Sequence, residues 1–218
     1  MTKILLAGAT GLVGGQALAL LLADGRVTQV VAPTRRPLEL HPKLLNPIGD
    51  NRNLPRDAQW WSVDGAISAI GTTRAKTPSA RDYRAIDYDY ALDVARHVQR
   101  GGAKSFALVT SMGANARSPF AYTRLKGALE EAVGDLGFPS LTIVRPGFLG
   151  GDRRDARPME RMVGSILRMA DPILPSVMRI SPSSSVAALL VQAVVSGVAG
   201  TRLIGPAEII RFAEKGDR

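Results

Sequence analysis

Tyr122-Thr123-Arg124-Leu125-Lys126 sets a phenol and an ammonium four residues apart, and on a helix that spacing puts both on one face. A cation held beside a phenol favours the phenolate and brings its pKa down from about 10, so the hydroxyl can exchange a proton with a substrate oxygen near neutral pH. Ser111 closes a short apolar run, Phe106 to Thr110, that reads as a buried strand. Ligands of open α/β sheets collect at strand ends of this kind, where the Ser111 hydroxyl can hydrogen-bond the same substrate oxygen. The chemistry these three groups support is proton transfer to or from an oxygen whose carbon gains or loses electrons.

A second constellation lies at the start of the chain. Gly8-Ala9-Thr10-Gly11-Leu12-Val13-Gly14 sits between an apolar run, Lys3 to Ala7, and a helical pattern from Leu12 to Ala23. In that position Gly8 makes a tight turn, Gly11 lets backbone amides approach a pyrophosphate, and Gly14 lets the helix pack closely on the strand. The loop residues Gly8, Thr10, Gly11, Leu12, Val13 and Gly14 are therefore the expected anion cradle, with the helix N-terminus adding partial positive charge. Val27 to Ala32 reads as the next strand and runs into Pro33-Thr34-Arg35-Arg36, with no acid between Gly25 and Arg36. An acid here would take a ribose 2′-hydroxyl, whereas Arg35 and Arg36 suit a 2′-phosphate, which favours NADP(H) over NAD(H).

The elements that must position these groups alternate. Ala66 to Ile70 and Leu141 to Val144 read as further strands, Leu44 to Ile48 as a weaker one carrying Pro47, and Ala80 to Arg100 as one long helix stopped by Gly101-Gly102. Pro119 to Val133 has an apolar stripe of Tyr122, Leu125, Leu129 and Val133. Beyond about residue 148 the alternation loosens into helical stretches near Arg157 to Met169 and Ser184 to Val195 and a short strand at Arg202 to Ile204. The expected architecture is a doubly wound α/β, Rossmann-type parallel sheet in one domain over 1–218. Its nucleotide-binding core spans about 1–148 and a smaller substrate lobe about 149–218.

Composition narrows the function classes. The chain has no cysteine and only His41 and His97, which removes thiol chemistry, disulfides and Cys-ligated zinc, and no metal site is expected. A formal charge of +9 comes from arginines scattered along the chain, so a solvated surface that favours phosphorylated ligands is expected, and neither nucleic acid nor a membrane as partner. No Gly-x-Ser-x-Gly elbow occurs, Ser181 to Ser185 reads as a loop into a helix, and Met159, Met162 and Met169 read as one helical face, packed on the sheet or lining a hydrophobic substrate pocket. Trp60-Trp61 reads as core packing plus a surface lid rather than a ring-binding platform. With no secretory leader in view, a soluble cytoplasmic protein is expected.

Taken in order, Gly8 to Gly14, Gly71-Thr72-Thr73-Arg74-Ala75-Lys76, Val109-Thr110-Ser111-Met112-Gly113-Ala114, Tyr122 to Lys126 followed by Gly127, and Arg145-Pro146-Gly147 span roughly residues 3 to 155. On these segments the sequence resembles an atypical short-chain dehydrogenase/reductase. More closely, it is similar to the Tat-interacting-protein-like oxidoreductases and their bacterial NAD(P)-binding relatives. The resemblance implies a catalytic trio of Ser111, Tyr122 and Lys126, with Lys126 also touching the nicotinamide ribose. It implies Gly71, Thr72 and Thr73 along the cofactor, Pro146 and Gly147 beside the nicotinamide, and Asp50 near the adenine. Asp87 stands where many dehydrogenases of the wider superfamily carry a structural Asn.

The expected function is an NADP(H)-dependent oxidoreductase that reduces a carbonyl-like or quinone-like small molecule. The alternative from another class is a redox sensor or regulatory scaffold that binds NADP(H), turns over nothing and engages a protein partner. An isomerase or epimerase that keeps its cofactor through the cycle is a third reading.

Overall fold

In β1 (Thr2–Ala7) every residue after Lys3 is apolar, because both faces of the strand are covered. Ile4 and Leu6 face one layer, and Leu5 and Ala7 the other. The computed structural model describes residues 2–50, 55–72, 77, 79–150 and 180–216. Around β1 lie β2 (Val27–Val31), β3 (Leu44–Leu45), β4 (Gly65–Ser68), β5 (Ser105–Val109), β6 (Ser140–Val144) and β9 (Gly200–Ile204). They form one seven-stranded parallel sheet in the order β3-β2-β1-β4-β5-β6-β9. Two short strands, β7 (Leu149–Gly150) and β8 (Ser181–Pro182), pair with each other apart from it.

Strand order runs outward in both directions from the β1–β4 boundary, and at such a reversal the carboxyl ends of the strands open a crevice for ligands. On one face α1 (Leu12–Ala23) packs with α5 (Ser183–Ser196) over Ile4, Leu6, Ile67 and Val144. On the other, α3 (Ala91–Arg100) and α4 (Ala121–Gly134) cover Leu5, Ala66, Phe106 and Leu141. A last helix, α6 (Pro206–Gly216), was not anticipated from sequence; it buries Ile209 and Ile210 on one face. β9 and α5 come from the stretch predicted as the substrate lobe. The predicted helix near Arg157 to Met169, with its three methionines, lies outside the described residues.

Two elements differ from the sequence reading. The single helix predicted over Ala80–Arg100 is α2 (Ala80–Arg84), a π-helical stretch Ala85–Tyr90, and α3. The wider turn has a consequence for the site, since it carries Asp87 inward to 1% exposure. The third strand keeps only two residues, because Pro47 has no N–H for the ladder; beyond it pairing survives as a bridge between Thr34 and Ile48.

At the opposite end of the sheet the Trp60 and Trp61 rings touch at 4.0 Å between centroids, and Trp61 stacks on His97 at 4.5 Å. Burial holds the His97 imidazole below its ordinary pKa, with Asp93 pulling the other way. The unfolded chain therefore binds more protons than the folded one as pH falls through about 6.5, and stability is lost there. We expect melting temperature to drop between about pH 7.5 and pH 5.5 by more in the unsubstituted protein than in His97→Phe. Equal drops in a pH series of thermal melts would show that His97 is not responsible.

Candidate active site

Gly8 follows β1 in the left-handed region at φ 89°, and a Cβ there would lie 2.6 Å from the Ala69 carbonyl oxygen. Its own carbonyl accepts the Gly11 N–H at 2.9 Å. A Cβ on Gly14 would meet that same oxygen at 2.0 Å, so the first turn of α1 rests directly on the loop. The helical bond from the Gly15 N–H to the Gly11 carbonyl leaves the earlier amides of Leu12, Val13 and Gly14 without helical acceptors. Thr10 and Gly11 are exposed at this opening. The arrangement is a tight backbone loop on a helix N-terminus, where a Cβ at Gly8 or Gly14 would strike backbone oxygen.

Beyond β2 the exposed Arg35 and Arg36 sit on a loop held by Asn46, a residue the sequence reading did not single out. Its Nδ2 donates to the Ala32 carbonyl at 2.6 Å and to Thr34 Oγ1 at 2.8 Å, while its Oδ1 accepts the Leu38 N–H. Thr34 Oγ1 in turn donates to the Arg36 carbonyl at 2.7 Å. The only signal for Asn46 was a polar side chain inside an otherwise apolar run. Burial pushes the phenol of Tyr90 up to about 12, with the charge of Arg35 pulling the other way. Asp50 is exposed at the far end of this loop region.

The third group forms around α4. A Cβ on Gly127 would lie 2.2 Å from the Ala116 nitrogen, so the loop after β5 lies flat on this helix. The Asn115 N–H donates to the Thr123 carbonyl at 3.0 Å, and the Ser118 and Thr123 hydroxyls are 2.6 Å apart. These contacts tie the loop that follows Ser111 to the helix that carries Tyr122 and Lys126. Ser111 Oγ is buried and has no hydrogen-bond partner among the described residues. A buried hydroxyl without a partner costs free energy unless something else satisfies it. Tyr122 is 44% exposed, and its ring centroid lies 6.4 Å from that of Tyr83. Across the loop, Met112 donates its N–H to the Pro146 carbonyl at 2.8 Å, which holds Pro146 and Gly147 beside Ser111.

Lys126 has a partner that spacing did not reveal. Its Nζ lies 2.6 Å from Asp87 Oδ1, with both side chains almost fully buried. Asp87 Oδ2 accepts the Thr72 N–H at 2.9 Å, and Thr72 Oγ1 is 2.8 Å from Thr77 Oγ1. One carboxylate therefore joins the Gly71-Thr72 segment to the ammonium. Thr73 lies outside the described residues. Among the described residues no three His, Asp or Glu side chains gather as metal ligands, and no helix is long and apolar enough to cross a membrane.

Residues 50–170 match the HIM1 family. The protein fmp52, mitochondrial, of Emericella nidulans is 34% identical over 174 residues, covering 73% of this chain and 72% of that protein. The chain belongs to the HIM1 family. This HIM1 chain is similar in structure to a short chain dehydrogenase family protein from Francisella tularensis, with a TM-score of 0.71, 17% identity, and coverage of 96% of this chain and 99% of that one. It is also similar to the Bordetella bronchiseptica enzyme WbmH in complex with NAD+, with a TM-score of 0.68, 17% identity, and coverage of 93% and 74%. At such identities the likeness is one of fold, and the HIM1 chain has the doubly wound fold of the short-chain dehydrogenases. One expectation is corrected. The sequence reading pointed to the cytoplasm, but the family's relatives, fmp52 of Emericella nidulans among them, are named mitochondrial. The cysteine-free composition on which the cytoplasmic expectation partly rested does not distinguish the cytoplasm from a mitochondrial compartment.

Proposed function

We propose that this chain binds a nicotinamide dinucleotide, NADP(H) in preference to NAD(H), and reduces a carbonyl-like or quinone-like small molecule. The observation that carries the reading is the buried hydroxyl of Ser111, unpartnered among the described residues, just past the carboxyl end of β5 in a segment tied to the helix bearing Tyr122 and Lys126 by the Thr110–Glu130 hydrogen bond. The cradle of Gly8, Gly11 and Gly14, where a Cβ would strike backbone oxygen, fits a diphosphate, and the exposed Arg35 and Arg36 suit a 2′-phosphate. WbmH, of the same fold, is a complex with NAD+, which supports the cofactor class. The finer kinship with Tat-interacting-protein-like oxidoreductases rests on the Gly71 to Lys76 and Tyr122 to Gly127 segments.

When bound, the dinucleotide supplies the hydride. The chain's own groups do the rest. The amides of Leu12, Val13 and Gly14 hold the diphosphate, and Pro146 and Gly147 border the nicotinamide end. Ser111 Oγ donates a hydrogen bond to the substrate oxygen, and the accessible Tyr122 hydroxyl delivers its proton. Lys126, anchored by Asp87, meets the ribose.

A second reading, a dinucleotide-binding sensor without turnover, is favoured by one observation: the Lys126 ammonium is already neutralised by a buried carboxylate. Two measurements separate the readings. NADPH fluorescence titration is expected to show binding that weakens at least about tenfold in Arg35→Ala/Arg36→Ala, since even one lost charged hydrogen bond is worth about 1.5–3 kcal/mol. Equal or tighter binding of NADH by the unsubstituted protein would remove the NADP preference. In a screen of NADPH oxidation with aldehydes, ketones and quinones, Tyr122→Phe is expected to lose at least about a hundredfold in rate. An unchanged rate excludes Tyr122 as the proton donor, and no oxidation with any acceptor class favours the sensor.

A further inference from the structure

Glu130 lies one helical turn beyond Lys126 on α4, and it is 7% exposed. A buried carboxylate at that depth must be paired or hydrogen-bonded. Its Oε1 accepts the Thr110 hydroxyl at 2.5 Å and the Arg145 Nε at 3.0 Å, and its Oε2 pairs with Arg145 Nη2. Thr110 is 5% exposed and directly precedes Ser111. Arg145 directly precedes Pro146 and Gly147, and its own N–H donates to the Ile204 carbonyl at 2.8 Å in β9. Three segments that reach the site by separate routes therefore meet at one side chain: the end of β5, the end of β6, and α4.

We propose that Glu130 is a positioning residue for the nicotinamide half of the site. It touches neither substrate nor cofactor. It holds Ser111 through Thr110, and Pro146-Gly147 through Arg145, at a set distance from the helix that carries Tyr122 and Lys126. A bidentate carboxylate–guanidinium pair suits this task because its fork fixes orientation as well as distance. The Gly8 to Gly14 cradle lies beyond β4, and none of Glu130's hydrogen bonds reaches it. The inference rests on the dinucleotide reading above, and it adds an asymmetry: loss of Glu130 harms the nicotinamide end and spares the adenosine-diphosphate end.

Isothermal titration with NADPH and with ADP, which lacks the nicotinamide half, reads that asymmetry. In Glu130→Gln the affinity for NADPH is expected to fall about tenfold, and in Thr110→Val about threefold, while ADP binding changes less than about twofold in both. A merely structural role weakens both ligands together. Proportional losses, or unchanged NADPH affinity in a folded Glu130→Gln, overturn the inference and leave the functional reading standing. If Glu130→Gln does not fold, Thr110→Val decides alone, since it keeps the ion pair and removes only the link to Ser111. Failure of the unsubstituted protein to bind either ligand overturns the functional reading and this inference together.

Discussion

Lys126→Met is expected to lower the unfolding free energy by about 3–5 kcal/mol, because it strands the Asp87 carboxylate in a site almost closed to water. For a chain of this size that is a fall in melting temperature on the order of 10 °C. The double variant Asp87→Asn/Lys126→Met should recover most of the loss. Both charges leave together, and the asparagine oxygen still accepts the Thr72 N–H that Asp87 Oδ2 now takes. Denaturant titration of the wild type, both single variants and the double variant closes the cycle. A single variant within about 1 kcal/mol of the wild type would mean that Asp87 and Lys126 do not share a buried pair in solution. The result also bears on the proposed mechanism, in which an ammonium locked to a carboxylate would act on the phenol and the ribose through position more than through free charge.

Gly14→Ala is the second large effect. The added Cβ would stand 2.0 Å from the Gly8 carbonyl oxygen, which is backbone and cannot swing aside. Relief requires the loop to lift off the helix end, an overpacking strain of about 1–3 kcal/mol, so NADPH affinity should drop about tenfold to a hundredfold. Gly15→Ala supplies the control one residue away. There the nearest atom would be the Ala9 oxygen at 3.6 Å, an ordinary contact, and helix propensity favours alanine by up to about 1 kcal/mol. Fluorescence titration that finds the two variants equal in affinity would refute the cradle as the diphosphate site.

Much of the framework was legible because it is written in local pattern. β1 reads as a buried strand from five consecutive residues, and α1 has the bounds Leu12–Ala23 that its apolar run and the Asp24-Gly25 stop imply. Tyr122 and Lys126 could be placed on one helix because spacing on a helix is a local property. The cytoplasmic expectation failed for a related reason: it was drawn from signals that were absent, and a compartment is not encoded in strand or helix periodicity.

The charged core of the site was decided elsewhere. On sequence, Glu130 is one of two acids in α4, and Asp87 one of four in the helix predicted over Ala80–Arg100. Asn46 lay inside the weak strand predicted over Leu44 to Ile48. Asn46 acquires its role only when β3 lies beside β2, and Glu130 and Asp87 only when β4, β5 and β6 lie side by side and the π-helical stretch buries Asp87. Local residue order, through periodicity and turn chemistry, determined most of the strands and helices and where the glycine loop lies. Tertiary packing determined which ions are buried against which, because the cost of desolvating a charge depends on neighbours that only the assembled sheet brings within hydrogen-bonding reach.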